Sequence, residues 1–128
     1  MNTRLLMSLS AVFLGLVGGA ATFMPQELAA HHGAPANSQL VLVFQIAGAA
    51  YLGFAILNWM AREVLIGGIY SRPVALGNFL HFSVVAMTLL RLMAGGVWSH
   101  PTVMAAVIYL GFAAWFGTAL FTHPTPRK

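Results

Sequence analysis

The chain has 128 residues, of which 59% are hydrophobic and only 6% are charged, whereas a soluble domain carries about 25% charged residues. Six basic and two acidic side chains give a formal net charge of +4, and because this excess reflects scarce acids rather than a basic patch, it argues against nucleic acid as a partner. The chain has no cysteine, which excludes disulfides, thiolate metal sites and thiol nucleophiles.

Four apolar runs are long enough to cross a bilayer, which takes about 20 residues in a helix. They cover approximately residues 5–24, 40–60, 74–95 and 102–121. We therefore expect an all-α fold, a four-helix transmembrane bundle in which short loops impose an up-down-up-down order, as a single integral membrane domain over residues 1–128. The first run could instead be a cleaved signal peptide, since Arg4 precedes it and small residues lie near Ala20, but it is longer than a typical signal-peptide core.

The stretches between these runs carry signals for helix ends. Three prolines stand at predicted helix starts: Pro25, Pro73 and Pro101. The first of them is expected to begin a short surface segment of one or two turns that ends at Gly33, and Asn37 or Ser38 can cap the second span. Gly67 and Gly68 are expected to end the second helix.

Basic residues predict the orientation, because Lys and Arg in short loops are retained on the cytoplasmic side. Five of them fall at one side of the predicted bundle: Arg4, Arg62, Arg72, Arg127 and Lys128. The loops at the other side hold no Lys or Arg, so both termini should be cytoplasmic. Arg91 is the exception, and its long side chain could extend to the outer head groups or pair with Glu27.

Small residues spaced four apart predict where helices touch, since membrane helices associate through close backbone approach. The stripes are Ala11, Gly15 and Gly19 in the first span, Ala49 and Gly53 in the second, and Ala113 and Gly117 in the fourth. Such stripes serve packing within one chain or between protomers. The motif YLGFA also occurs twice, at residues 51–55 and 109–113, which indicates either two related hairpins or a coincidence of composition.

Polar residues inside the spans mark two candidate sites. Asn58, Asn78 and His81 should meet near the inner mouth of the bundle, where they could orient the head group of a ligand or simply join helices by hydrogen bonds. Gln45 and Arg91 form a second set near the outer face. Tyr51 and Tyr109 come between the two sets, so these residues either trace a polar track across the membrane or pack as ordinary core and interface side chains.

The histidines do not fit a cofactor site. A transmembrane haem requires two histidines deep in facing helices, and only His81 is embedded in a predicted span. A metal at His31 and His32 would need help from His100 or Glu27, so we expect neither a metal nor another cofactor. Because no catalytic triad, phosphate-binding loop or pair of embedded carboxylates is present, we expect no enzymatic activity, although a membrane redox role is left open.

Three segments carry a resemblance to a known family. A first span leading into FMPQELAAHHG, a second ending in NWMARE and a third beginning RPVALGNFLHF resemble small bacterial membrane proteins with a DoxX-like four-helix layout. This resemblance implies an integral protein of the bacterial inner membrane and carries over no catalytic residues. The chain is also similar to small multidrug transporters in length and number of spans, but it lacks the embedded glutamate that such carriers need in the first span.

Together, these patterns predict a small integral membrane protein that binds a lipophilic ligand or serves as an accessory subunit of a membrane complex. The expected partners are membrane lipid, a lipophilic small molecule, and further copies of the chain or a larger complex. The alternative function is a small transporter or channel that uses the polar track and works as a dimer. The predicted ligand-binding residues are Asn58, Asn78, His81, Tyr51, Tyr109, Arg91 and Gln45.

Overall fold

The computed structural model describes residues 2–35, 37–64 and 71–122. These residues form α-helices and no strand: α1 Thr3–Phe23, α2 Pro25–His31, α3 Ser38–Ala61, α4 Arg72–Ala94 and α5 His100–Phe121. All except α2 are long and apolar enough to cross a membrane. The predictions of an all-α chain and of four candidate spans are therefore confirmed.

Each long helix begins two residues before its predicted span and ends within one residue of the predicted end. The early starts have a common cause, because the first turn of each helix carries polar residues or proline that a hydropathy pattern leaves out. Asn37 caps α3 by accepting a hydrogen bond from the Leu40 backbone N–H at 2.8 Å, and Ser99 caps α5 by accepting one from Thr102 N–H at 3.3 Å. The predicted helix end at residues 67–68 lies outside the described residues.

Helix α2 is the predicted short segment, with seven residues. Pro25 begins it at a position where the missing backbone N–H is not needed. Gly33 follows it with a φ of 67°, a left-handed conformation that glycine adopts without steric cost. Proline and glycine thus bracket a helix too short to be stable by itself, and Ala29, which is fully buried, anchors it to the protein.

The chain divides into two compact units. The first, called here the N-terminal unit, is Met7–Ala61, and the second, the C-terminal unit, joins Met1–Leu6 to Arg62–Lys128.

In the N-terminal unit, α1 and α3 are antiparallel and touch through their backbones. A Cβ atom added at Gly18 would lie 2.8 Å from the Leu52 nitrogen and 2.9 Å from the Gly48 oxygen. One added at Gly48 would lie 2.7 Å from the Thr22 nitrogen and would collide with the Thr22 hydroxyl. Neither glycine can accept a side chain unless the helices separate, which is the close approach typical of membrane helix pairs.

This contact is only partly the one predicted from small-residue stripes. Gly15 does face α3, since a Cβ there would pack 3.7 Å from that of Ala55. Gly19 and Gly53, however, have no atom within 4 Å of an added Cβ, and Ala49 is exposed. They do not form the contact between α1 and α3, because the helices cross on the neighbouring face, and packing of these residues between protomers stays a prediction.

In the C-terminal unit, α4 and α5 are antiparallel and pack through aromatic rings. The fully buried Phe82 stacks on Phe112 and Phe116, with ring centroids 4.7 and 5.6 Å away. One turn earlier in α4, Phe79 lies over Gly117, where an added Cβ would meet the Phe79 ring at 3.2 Å. The predicted stripe of small residues in α5 therefore does make a helix contact, and glycine there makes room for a ring.

The same unit contains a charged group at the ends of α1 and α3. The Arg4 Nη2 atom lies 2.9 Å from Glu63 Oε1, and Arg62 Nε lies 3.4 Å from the same oxygen. All three side chains are at least partly exposed, so each pair contributes only about 0–1 kcal/mol to stability. The geometry does bring Arg4 and Arg62 to one place, as the charge distribution predicts.

Candidate functional site

Asn58 is fully buried within the N-terminal unit. Its Nδ2 donates a hydrogen bond of 3.0 Å to Ser10 Oγ, and the Ser10 hydroxyl donates in turn to the Met7 carbonyl at 3.0 Å. This chain of hydrogen bonds joins α3 to α1. Asn58 thus makes the helix-joining hydrogen bond that the sequence suggested as the alternative to ligand binding, and its role towards a ligand stays a prediction.

Asn78 and His81 lie on α4 in the C-terminal unit. Asn78 is fully buried, and its Nδ2 donates to the Val74 carbonyl of its own helix at 2.9 Å. The half-buried His81 ring lies 6.1 Å from the ring of Tyr109 and 5.2 Å from that of Phe82. The structure therefore brings two predicted site residues, His81 and Tyr109, into one ring cluster. Because Asn58 belongs to the other unit, the predicted cluster of Asn58, Asn78 and His81 stays a prediction.

The outer polar residues of the prediction are placed differently. Gln45 and Arg91 are exposed on the surface of the chain, while Tyr51 is half-buried and Tyr109 is buried. Because Gln45 and Tyr51 belong to the N-terminal unit and Arg91 and Tyr109 to the C-terminal unit, the predicted polar track stays a prediction.

The described part of the chain contains a cleft that the sequence did not predict. It lies within the N-terminal unit, where α1, α2 and α3 come together, and has a volume of about 350 Å³. Its lining residues are Val17, Ala20, Ala21, Leu28, His32, Phe44, Ala47 and Tyr51. None of them is Lys, Arg, Asp or Glu.

Helix α2 forms one side of this cleft because of its own sequence pattern. Leu28 and the buried Ala29 share a face that turns towards the protein, whereas Glu27 and His31 are exposed. This segregation is typical of a short amphipathic helix at a membrane surface. His32 follows the last turn, is exposed, and reaches the mouth of the cleft.

Along α3, the lining runs from Phe44 through Ala47 to Tyr51, which corresponds to a length of about 10 Å along the helix axis. Tyr51 is the lining residue of α3 farthest from the helix start beside α2. Small side chains at Ala20, Ala21 and Ala47 form much of the wall. The cleft is thus an apolar groove with the exposed imidazole of His32 at its mouth, beside α2, and the ring of Tyr51 at the end farther along α3.

Of the predicted site residues, only Tyr51 lines this cleft. His32 was singled out from the sequence as a weak metal ligand and not as a contact for an organic ligand. The cleft could have been predicted from Pro25 and Gly33, which mark the two ends of a short helix. A helix between these residues must fold back over the end of α1.

A second groove of about 290 Å³ lies on the same helix pair and has a different character. Its lining residues are Ala11, Val12, Gly15, Leu52, Ala55, Ile56 and Trp59. Its lining has almost no hydrogen-bonding group and includes no residue of α2. Within the described residues, no three His, Asp or Glu side chains are grouped as metal ligands.

No protein-family model matches the chain, and neither does any curated protein or any solved structure.

Proposed function

We propose that this chain is a multi-pass protein of the bacterial inner membrane that binds a lipophilic molecule in the cleft between α1, α2 and α3. The observation that carries the proposal is the cleft itself, because it combines an apolar lining with polar groups at only two places, His32 and Tyr51. Ligand sites are mostly apolar recesses in which a few polar groups fix orientation, and they have volumes of about 300–1,000 Å³. The cleft falls at the small end of that range.

The proposed orientation places the cleft in the outer leaflet. Helices α1 and α3 are antiparallel, as are α4 and α5, and Arg4 near the start of α1 and Arg62 just after α3 both contact Glu63. These facts support the up-down-up-down arrangement with cytoplasmic termini, since arginines accumulate on the cytoplasmic side. The mouth beside His32 would then open at the periplasmic surface, where an amphiphile can enter from the lipid.

The proposal changes the roles suggested for the polar residues. Tyr51 stays a ligand-binding residue, and His32 joins it. Asn58 is assigned to helix packing through Ser10, and because Asn58 is fully buried, the orientation of a ligand head falls to the cleft residues. The ring cluster of His81 and Tyr109 would hold α4 against α5.

Membrane lipid and a larger complex remain the proposed partners. Most of α3 is exposed over its apolar length, and this surface must contact either acyl chains or another protein. The DoxX-like resemblance belongs with this part of the proposal, because it implies an inner-membrane accessory protein and not a particular ligand.

The test compares two substitutions of the same kind on α3. Ala47 lines the cleft and Ala50 is exposed outside it, so Ala47→Phe should fill the cleft and Ala50→Phe should not. Wild-type protein in lipid nanodiscs is photolabelled with a diazirine derivative of octanol, and the labelled peptides are identified by mass spectrometry. We expect saturable labelling of the cleft residues that falls about tenfold in Ala47→Phe and is unchanged in Ala50→Phe. Equal labelling in both variants would refute the proposed site.

A transporter or channel is the second candidate, favoured by the exposure of Gln45 and Arg91. Polar side chains facing lipid are costly, and a path formed between copies of the chain would shelter them. The measurement is ion or dye flux into proteoliposomes. Flux that disappears in both Gln45→Leu and Arg91→Leu would favour this candidate over a binding protein, and absence of flux would exclude it for the species tested.

A further inference from the structure

We infer that the ligand is a single-chain amphiphile with an uncharged head at His32, and that the side chain of Tyr51 sets the length of apolar chain that the cleft accepts. This inference rests on the proposed function and adds the class of ligand and the residue that selects it.

The inner end of the cleft lies next to the contact between α1 and α3. Tyr51 and Val17 line it there, and next to them α1 and α3 are in backbone contact: a Cβ at Gly18 would lie 2.9 Å from the Tyr51 Cβ, and one at Gly15 would lie 3.7 Å from that of Ala55. A chain that enters from the mouth therefore meets the tyrosine ring and finds no opening between the helices beyond it. From Phe44 to Tyr51, the lining covers about 10 Å along the axis of α3.

Small side chains form the walls of the cleft, and they are those of Ala20, Ala21 and Ala47. With a volume of about 350 Å³, the cleft accommodates an extended alkyl chain that lies along the helices. Filling the recess also restores the dispersion contacts that an empty groove lacks.

The lining of the cleft offers the head group of a ligand a hydrogen-bonding partner but no charged residue. His32 is the polar lining residue at the exposed mouth, and an imidazole can both donate and accept a hydrogen bond. No Lys or Arg lines the cleft to neutralise an anion, and no Asp or Glu lines it to neutralise a cation. Of the ionisable groups nearby on α2, Glu27 and His31 are exposed and lie outside the lining. A hydroxyl, amide or ester head is therefore favoured over a charged one.

The experiment for chain length uses unbranched alcohols as competitors of the octanol photolabel, with their concentrations expressed as mole fraction in the bilayer. In wild type we expect competition to weaken about tenfold once the chain exceeds the depth of the cleft. Tyr51→Ala should move this limit to longer chains, and it keeps the Cβ atom that packs against Gly18. Tyr51→Phe retains the ring and should keep the wild-type limit.

A limit that stays in place in Tyr51→Ala would overturn the assignment of Tyr51. So would wild-type competition that does not depend on length. In both cases saturable labelling would persist, so the proposed binding function would survive; if wild type shows no saturable labelling at all, the proposed function fails first. Circular dichroism and a thermal melt of each variant show whether its helices are intact.

The experiment for the head compares octanol with octane, octanoate and octyltrimethylammonium in the same competition. We expect octanol to compete about tenfold better than the other three. His32→Leu should bring octanol down to the level of octane, and His32→Gln should restore most of the difference, because an amide also donates and accepts. Equal competition by octane and octanol in wild type would overturn the role of His32.

Discussion

The contact between Gly18 and Gly48 leads to a quantitative prediction for Gly48→Ala. The added methyl would lie 2.7 Å from the Thr22 nitrogen and 2.9 Å from the Gly18 oxygen, whereas carbon contacts are optimal near 3.5–4.0 Å. The two helices must therefore separate by about 0.5–1 Å, a gap that forfeits a quarter to a half of the dispersion energy at the contact. Overpacking of this kind costs about 1–3 kcal/mol.

Alanine also favours a helix over glycine by about 1 kcal/mol at most, and this gain must be separated from the steric cost. Gly53→Ala supplies the control, because Gly53 lies on the same helix and an added Cβ there has no atom within 4 Å. We expect Gly53→Ala to leave the protein as stable as wild type or more so. The difference between the two variants in free energy of unfolding should then be about 1–3 kcal/mol.

The assay is reversible unfolding of the purified protein in mixed micelles with increasing sodium dodecyl sulfate, followed by far-ultraviolet circular dichroism. If Gly48→Ala and Gly53→Ala agree within about 0.5 kcal/mol, which is the usual range for a neutral surface change, the two glycines do not form the crossing point.

Three further predictions follow from described contacts. A double-mutant cycle with Asn58→Ala and Ser10→Ala should give a coupling of about 0.6–1.7 kcal/mol in the same unfolding assay, and additive effects would show that their hydrogen bond contributes nothing. Phe82→Ala removes ring contacts worth about 0.5–1.5 kcal/mol each, so it should lower the unfolding midpoint, and an unchanged midpoint would contradict the aromatic packing of α4 on α5. Because the chain has no cysteine, Ala30→Cys and Val64→Cys can be labelled in intact cells with an impermeant maleimide; only the former should react before lysis, and the reverse pattern would invert the proposed orientation.

The helix positions could be read from the sequence because bilayer thickness fixes how long an apolar run must be. The errors are systematic, because every long helix starts two residues before its predicted span. Its first turn, such as Ser38–Gln39 or Arg72–Pro73, is polar or contains proline. A hydropathy pattern identifies the part of the helix that lies in hydrocarbon, whereas hydrogen bonding and capping determine where the helix begins.

The contacting faces were harder to predict. Small residues are abundant in α1 and α3, and Gly15 and Gly18 both qualify as contact points from composition alone. Which glycine touches its partner depends on how the helices cross, and a rotation by one residue moves the contact from the stripe of Gly19 to that of Gly18. Asn58 illustrates the same limit, since its polarity indicated a buried partner but did not identify Ser10.

The candidate site depends on tertiary structure even more strongly. Tyr51 was predicted because it is a polar residue inside a span, whereas Ala20, Ala47 and Leu28 have ordinary apolar character and line the cleft only because α2 folds back. A cleft that forms where side chains are small is difficult to predict from a sequence. The polar groups at its ends are the part that a sequence can reveal.

The pairing of α1 with α3 has a consequence for how the protein is made. The contacts described for this pair, from Gly18 with Gly48 to Ser10 with Asn58, lie within the first half of the chain. A nascent polypeptide can therefore close this hairpin as it leaves the translocon, while the ribosome is still adding residues at about 5–20 per second. The cleft would then be formed early, and a substitution that delays the hairpin would expose Asn58 to lipid during insertion and lower the yield of protein before it changes the finished fold.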